Sequence, residues 1–390
     1  MVSHGYAPTT SGVTVVVQKV AREMVRRHHQ VTVVTASDRG TPYHDYDMGV
    51  ALWRVRSTPN PFWSEGRLPV LRYERLKDII AEVRPDVINT HEGALLSWQL
   101  YRLEHERRHI PEILTCHFLP RFVTYYVHVG DAAEKAVENI TWELSVHVIN
   151  GFDHVIFPTQ TQRQAFLEEG LKRDSTVISN GVDSNRYRPV DPQEGDDVET
   201  RYALPHEPRI LFVGRMARDK KIEVLIRAMR TVRSVHPAHL LLVGRGDDRH
   251  RLEDLTEALG LVEAVHFLGF VPEEDLPSLY RRADMFAIAS DVEVQSIPTL
   301  QAVATALPVV AADAAALPEL VEDGKNGFLV PPGDAEGFAN AIRKLLDNRE
   351  MAAAFGQASL AISRQHAEAR TYDSYEAVYQ KYGLKRSRRL

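Results

Sequence analysis

The sequence predicts an α/β protein of two domains, each a doubly wound parallel sheet. Three observations predict it. Short β-branched apolar runs alternate with amphipathic helical stretches along the chain, the pattern of parallel strands covered by helices. At 390 residues and 44% apolar composition, the chain suits two cores better than one. A stretch rich in Asp, Glu and Pro and without periodicity, Val190–Pro208, separates the runs into two sets.

Met1-Val2-Ser3-His4-Gly5 reads as the end of a first strand running into a loop, because Ser11-Gly12 opens a helix that continues to about Val25. A two-residue central strand is too short to pair well, so the expectation is either a start several residues upstream or a vestigial strand. Further strands are expected at Val31–Ala36, Val87–Thr90, Ile113–Cys116, Val155–Pro158 and Thr176–Ser179. The second set is Arg209–Val213, His239–Val243, Val265–Leu268, Met285–Ala289 and Pro308–Ala311. A last helical stretch, Thr371–Gly383, precedes a basic tail at Lys385-Arg386-Ser387-Arg388-Arg389. The expected organisation is a first domain over 1–188, a linker at 189–205, a second domain over 206–370 and a C-terminal helix and tail over 371–390.

Charge and composition exclude several classes. The formal net charge of −6 falls entirely in the second half, and neither half is basic enough to imply nucleic acid. The longest apolar runs, such as Ile210–Val213 and Leu240–Val243, are strand-sized and far short of the ~18 residues of a spanning helix. With no signal-peptide pattern at the start and a lone Cys116 that cannot form an internal disulfide, a reducing cytoplasm is the expected location.

The chemistry concentrates at two strand ends. Gly214-Arg215 and Lys220 follow the strand Arg209–Val213, and Glu293 precedes a helix opening near Ser296. Strand ends that run into helices are where α/β proteins collect phosphate and sugar ligands. Two fixed cations near two helix N-termini can hold a diphosphate without a metal, and a nearby carboxylate can hold sugar hydroxyls.

These residues resemble a known family. Ser11-Gly12-Val13 before a helix, His91-Glu92 and His117 after strands, and Asn180-Gly181-Val182-Asp183 are similar to the N-terminal domain of a family 4 glycosyltransferase of the GT-B fold. Gly214-Arg215 with Lys220, Gly244-Arg245-Gly246, Glu293, Pro318-Glu319 and Asp323-Gly324-Lys325-Asn326-Gly327 are similar to its donor domain. The resemblance implies two Rossmann-like domains facing a central cleft, with the last helix packing back toward the first. It implies retaining transfer of a hexose from a nucleotide-diphosphate sugar, expected to be a UDP-sugar, to a hydroxyl, with no cofactor and no metal. The acceptor domain would be the N-terminal one.

The resemblance also assigns roles. Glu293 would bind donor-sugar hydroxyls and stabilise charge at the anomeric carbon, and His117 would touch the donor sugar; these are the expected catalytic residues. Gly12, Gly214, Arg215, Lys220, Ser296, Ile297 and Gln301 would bind the donor, with His91 and Asn180 as further substrate contacts. This sequence departs from the family pattern at three positions. Gln301 stands where a second acid usually grips the ribose, so it can hydrogen-bond there without charge assistance. Pro298 removes a backbone N–H that would face the donor phosphate, leaving Ser296, Ile297 and Thr299. Lys221 replaces the glycine that often follows the family's lysine.

Other patterns carry less. His105-Glu106-Arg107-Arg108-His109 matches a zinc-protease motif, but two arginines would oppose the metal and Pro111 ends the helix, so a solvated helix end is expected. Asp45-Tyr46-Asp47 mimics a metal-binding D-x-D in what reads as a surface loop. Cys116 and His117 are adjacent on a strand and point to opposite faces, which forbids a dyad. Gly244-Arg245-Gly246 lacks the third glycine of a dinucleotide fingerprint, so an NAD-linked oxidoreductase rests on the α/β pattern alone.

For the acceptor, the apolar stretch His117-Phe118-Leu119-Pro120 with Phe122, Tyr125, Tyr126 and Val127, together with Arg121, Arg22, Arg26 and Arg27, suits either a helix packed in the domain or a lipid head group at an anionic membrane surface. Lipid and saccharide acceptors both stay open. The competing expectation is a nucleotide-sugar- or glycan-binding protein with impaired turnover, motivated by Gln301 and the short first strand.

Overall fold

The computed structural model describes residues 1–9, 11–60, 66–91, 110–125, 131–189 and 197–387, without the side chains of 123–125, 131–134 and 384–387. The chain forms two compact units, one of residues 1–180 with 369–390 and one of residues 181–368.

In the first unit, among the described residues, the strands are β1 (Val2–Ser3), β2 (Thr32–Ala36), β3 (Tyr43–Asp47), β4 (Val50–Val55), β5 (Ser57–Pro59), β6 (Arg67–Pro69), β7 (Ile88–His91), β8 (Glu112–Thr115), β9 (His154–Phe157) and β10 (Ser175–Val177). Eight of them make one sheet in the order β10-β9-β8-β7-β1-β2-β4-β3, and β5 and β6 form a separate ribbon. The sheet is parallel except for the β3–β4 hairpin at its edge. Strand β1 is central despite its length: Val2 pairs with Val34 and Thr90, and Ser3 with His91. Helix α1 (Gly12–Arg26) starts where the sequence placed it, because Ser11 and Thr14 form a reciprocal cap, with Thr14 N–H on Ser11 Oγ at 3.2 Å and Ser11 N–H on Thr14 Oγ1 at 2.7 Å. Its apolar face, Val17 and Ala21, packs on Val33, Val50 and Leu52.

Two sequence expectations change here. Asp45-Tyr46-Asp47 lies in strand β3, not in a loop. Asp47 accepts from Tyr6 Oη at 2.7 Å, Gln18 at 3.2 Å and both sides of the Arg22 fork at 2.9 and 2.7 Å, which ties the sheet edge to α1. The C-terminal helix, Glu368–Ser387, is longer than the expected stretch, and from residue 369 onward it belongs to the first unit. Arg27, the C-cap of α1, binds its Asp373 and Glu376 at 2.7 and 2.6 Å, Tyr379 Oη donates to Asn89 at 2.7 Å, and Tyr375 is fully buried.

The second unit holds β11 (Arg209–Val213), β12 (His239–Val243), β13 (Val265–Gly269), β14 (Met285–Ile288), β15 (Val309–Ala312) and β16 (Gly327–Val330) in the parallel order β13-β12-β11-β14-β15-β16. The order reverses at β11, so β11 and β14 run outward from a topological switch point, the position where such sheets take ligands beyond the strand ends. One continuous core, including Phe212, Phe286, Leu225 and Met229, covers both faces. Residues 197–205 of the expected linker pack with this unit. Val198, in the short helix Val198–Arg201, and Leu204 are buried in this core, so residues 197–205 are part of the unit; residues 190–196 lie outside the described residues.

Candidate active site

The second unit brings three of the expected residues together. Strand β11 ends at Val213, the chain turns through Gly214-Arg215, and a 3-10 turn over Arg218–Lys220 leads through Lys221, in the left-handed region at φ 50°, into the helix Ile222–Arg233. Lys220 Nζ reaches Glu293 Oε1 at 2.6 Å and Asp219 Oδ2 at 3.2 Å, and Arg215 Nη2 donates to Asp219 Oδ1 at 3.2 Å. The Lys220, Glu293 and Asp219 side chains are 17%, 12% and 1% exposed, whereas Arg215 keeps 31%. Burial works against the Lys220 ammonium, but Glu293 and Asp219 outweigh it and hold its pKa above the ordinary lysine range.

The sequence predicts two fixed cations with a carboxylate nearby. The structure shows a linked row, Arg215–Asp219–Lys220–Glu293, in which two positive and two negative charges balance. Asp219 is the residue that sequence reasoning missed. The signal was present as an acid four residues after Arg215 and next to Lys220. Ser290 Oγ donates to the Asp219 carbonyl at 2.9 Å, fastening the turn to the segment that follows β14, and the Glu293 carbonyl accepts from Ala316 N–H at 3.2 Å.

Glu293 precedes helix Ile297–Ala304, for which Ser296 is the N-cap, accepting from Thr299 N–H at 3.2 Å. Pro298 lacks an N–H and Thr299 spends its own on this cap, so of the first three helical positions only Ile297 keeps an N–H that the cap does not use. Gln301 is 8% exposed, and its Oε1 accepts from Tyr280 Oη at 3.0 Å; that hydroxyl also lies 3.1 Å from the Pro298 carbonyl. The acceptor end of the Gln301 amide is therefore engaged within the unit.

Gly244-Arg245-Gly246 is explained by packing. Gly244 has φ 134°, and a Cβ there would lie 1.9 Å from the Gly214 carbonyl oxygen; one on Gly246 would lie 2.2 Å from that of Met216. The two loops run this close because Gly214 N–H donates to Val243 O at 2.9 Å and Met216 N–H to Arg245 O at 2.7 Å. Gly244→Ala should therefore push the Arg215 loop out of place, costing roughly 2–3 kcal/mol of stability. Urea melts of this variant measure the loss, and an unchanged midpoint would refute this account of the loop.

In the first unit, His91 ends β7 and His117 follows β8. The two rings meet, with His91 Nδ1 3.2 Å from His117 Nε2. Burial and then the neighbouring imidazole His4 push the pKa of His117 down to about 4; burial and then His117 take His91 well below its usual range. His91 is fully buried, so it reaches no ligand directly in this structure; His117 is half-buried. Gly12 is the first residue of α1, and Asn180, half-buried, is the last residue of the first unit's main segment.

Of the basic residues considered for a head group, Arg22 pairs with Asp47, Arg26 with Glu23, and Arg27 with Glu23, Asp373 and Glu376, while Arg121 is exposed. Phe118, Leu119 and Phe122 are half-buried; the Tyr125 side chain, Tyr126, Val127 and the whole His105–His109 motif lie outside the described residues. Among the described residues, no helix is long and apolar enough to cross a membrane.

Both units match known proteins. A family model described as Glycosyltransferase Family 4 matches residues 10–186, and one described as Glycosyl transferases group 1 matches residues 200–361. The D-inositol 3-phosphate glycosyltransferase of Corynebacterium jeikeium strain K411 is 27% identical over 362 residues, covering 89% of this chain and 86% of that protein. Among solved structures, sucrose-phosphate synthase from Thermosynechococcus elongatus aligns with a TM-score of 0.81 at 22% identity, over 98% of this chain and 99% of that one. The Anabaena protein HepE in complex with UDP-glucose aligns with a TM-score of 0.78 at 21% identity, over 97% and 99%.

Proposed function

The chain belongs to the family 4 glycosyltransferases of the GT-B fold, and from that premise we propose that it moves a hexose from a UDP-sugar to a hydroxyl of a glycan or lipid acceptor, with retention and without a metal. The observation that carries this reading is the row Arg215–Asp219–Lys220–Glu293 at the switch point. Arg215 offers a partly exposed planar fork and Lys220 a compact charge, the pair of donors a leaving diphosphate needs as its negative charge grows. In this reading Glu293, which accepts a hydrogen bond from Lys220, holds sugar hydroxyls beside that diphosphate and faces the positive charge developing at the anomeric carbon. UDP-glucose bound to the structural neighbour HepE, and the sugar and polyol phosphates in the names of sucrose-phosphate synthase and the inositol 3-phosphate enzyme, support a nucleotide-sugar donor and a polyhydroxyl acceptor.

Incubation with mixed sugar nucleotides and a lipid and oligosaccharide extract, followed by mass spectrometry, tests this reading. The expected products gain one hexose, and turnover should survive EDTA because the cations are built into the chain. Strict dependence on added Mn²⁺ would overturn the metal-independent part, and release of free sugar alone would overturn transfer.

The second reading, a binding protein with impaired turnover, is favoured by the Tyr280–Gln301 bond, which leaves the Gln301 amide nitrogen rather than its oxygen for a ribose. A Gln301→Glu enzyme should keep the bond from Tyr280 and present a charged oxygen in place of that nitrogen. Donor affinity should rise by about 1 kcal/mol, roughly fivefold by calorimetry. Unchanged affinity would place residue 301 outside the donor site.

A further inference from the structure

The His91–His117 pair has a direction. Both rings are neutral, so the facing atoms, His91 Nδ1 and His117 Nε2 at 3.2 Å, share a single proton. His91 Nε2 is buried and has no hydrogen-bond partner among the described residues, and its ring is stacked with Tyr375 at 6.1 Å between centroids. If His117 donated, His91 would have to carry its proton on Nε2 and bury an unmatched N–H. If His91 donates from Nδ1, only a lone pair is left unmatched, and orphaned buried N–H groups are the rarer and costlier case.

We propose that His91 is a positioning residue: by donating from Nδ1 to His117 Nε2 it fixes His117 as the Nδ1–H tautomer, so that His117 meets the sugar as a hydrogen-bond donor rather than an acceptor. His91 has no exposed surface and acts only through its neighbour. The ligand class this selects is an oxygen acceptor, a sugar hydroxyl or ring oxygen. The direction of the hydrogen bond rests on this structure alone, whereas its consequence for turnover rests on the reading that His117 touches the donor sugar.

Nitrogen-15 correlation spectra of the full-length protein separate the two. The His117 ring signals, assigned by their loss in His117→Asn, should show a protonated Nδ1 and a bare Nε2. In His91→Phe, which keeps an aromatic ring but has no donor, that preference should relax toward Nε2–H. In His91→Asn, whose amide nitrogen falls near the place of Nδ1, it should be retained. Turnover in His91→Phe should fall about ten- to fiftyfold with UDP affinity unchanged, and His91→Asn should recover most of it. A wild-type His117 protonated on Nε2, or a tautomer indifferent to His91→Phe, would overturn the proposal. Should His91→Phe fail to fold, the wild-type spectrum alone decides. A confirmed tautomer with full activity in His117→Asn would instead refute the role given to His117 in the reaction and leave the tautomer assignment standing.

Discussion

Lys220→Ala is expected to slow turnover by roughly 10²–10³, the loss that follows removal of one fixed donor aimed at developing charge. The argument starts from the resting balance. Lys220 stands between Glu293 Oε1 at 2.6 Å and Asp219 Oδ2 at 3.2 Å, so its charge is already matched before any diphosphate arrives. A site that is neutral at rest binds the donor without strong attraction and improves as the glycosidic bond breaks and charge collects on the leaving diphosphate, which is the differential binding that lowers a barrier. Removing Lys220 also leaves two carboxylates facing one another, so the variant should melt earlier as well as work more slowly. Lys220→Arg separates the effects: it restores the charge and most of the stability, but its fork does not reproduce a point contact, and turnover should stay well below wild type.

The pH dependence has a definite sign. Because the folded pKa of Lys220 is raised, its stabilising contribution is fully present below the unfolded value of about 10.4 and is lost only as pH climbs through the higher folded value. Lys220 therefore cannot be the group behind any rate change between about pH 6 and 9. Steady-state rates from about pH 6 to 9 check the second statement, and melting curves carried above about pH 10.4 check the first. Full activity in Lys220→Ala would place the reaction elsewhere.

How much of this was legible in the sequence depended on whether a signal was local. Strands such as Arg209–Val213 and His239–Val243 appear as expected because an uninterrupted apolar run needs only its own neighbours to be recognised. Strand β3 was hidden because Tyr43–Asp47 is polar and exposed along most of its length, and its turn into β4 uses Met48-Gly49, with φ 47° and 89°, in place of the usual Asn-Gly. Val198 and Leu204 read as isolated apolar residues in an acidic stretch, and only the tertiary core shows that both are anchored. Arg215, Lys220 and Glu293 stand out in the sequence because each lies at a strand end or beside a helix start. What could not be seen was their pairing. Charge cancellation through Asp219, the Tyr280 hydroxyl on Gln301 and the contact between His91 and His117 all join residues that the fold, not the sequence order, makes neighbours.

Asp219 then becomes the organising residue of the row, and Asp219→Ala should be the most damaging single change to stability in the site. Its side chain is 1% exposed and meets both cations, so truncation leaves Arg215 and Lys220 repelling one another over an emptied pocket. Breaking a buried ion pair by removing one partner costs on the order of 3–5 kcal/mol. Asp219→Asn keeps the shape and one acceptor oxygen and should lose less, about 1–2 kcal/mol. The two observables should move in opposite directions in this milder variant. With a negative charge gone from beside Arg215 and Lys220, UDP should bind at least as tightly as to the wild type, while turnover drops because the remaining oxygen holds only one of the two cations on line. Chemical denaturation, calorimetry with UDP and product formation measure the three quantities on one preparation. Weaker UDP binding in Asp219→Asn, with wild-type stability, would mean that the carboxylate contacts the donor itself and does not organise the cations.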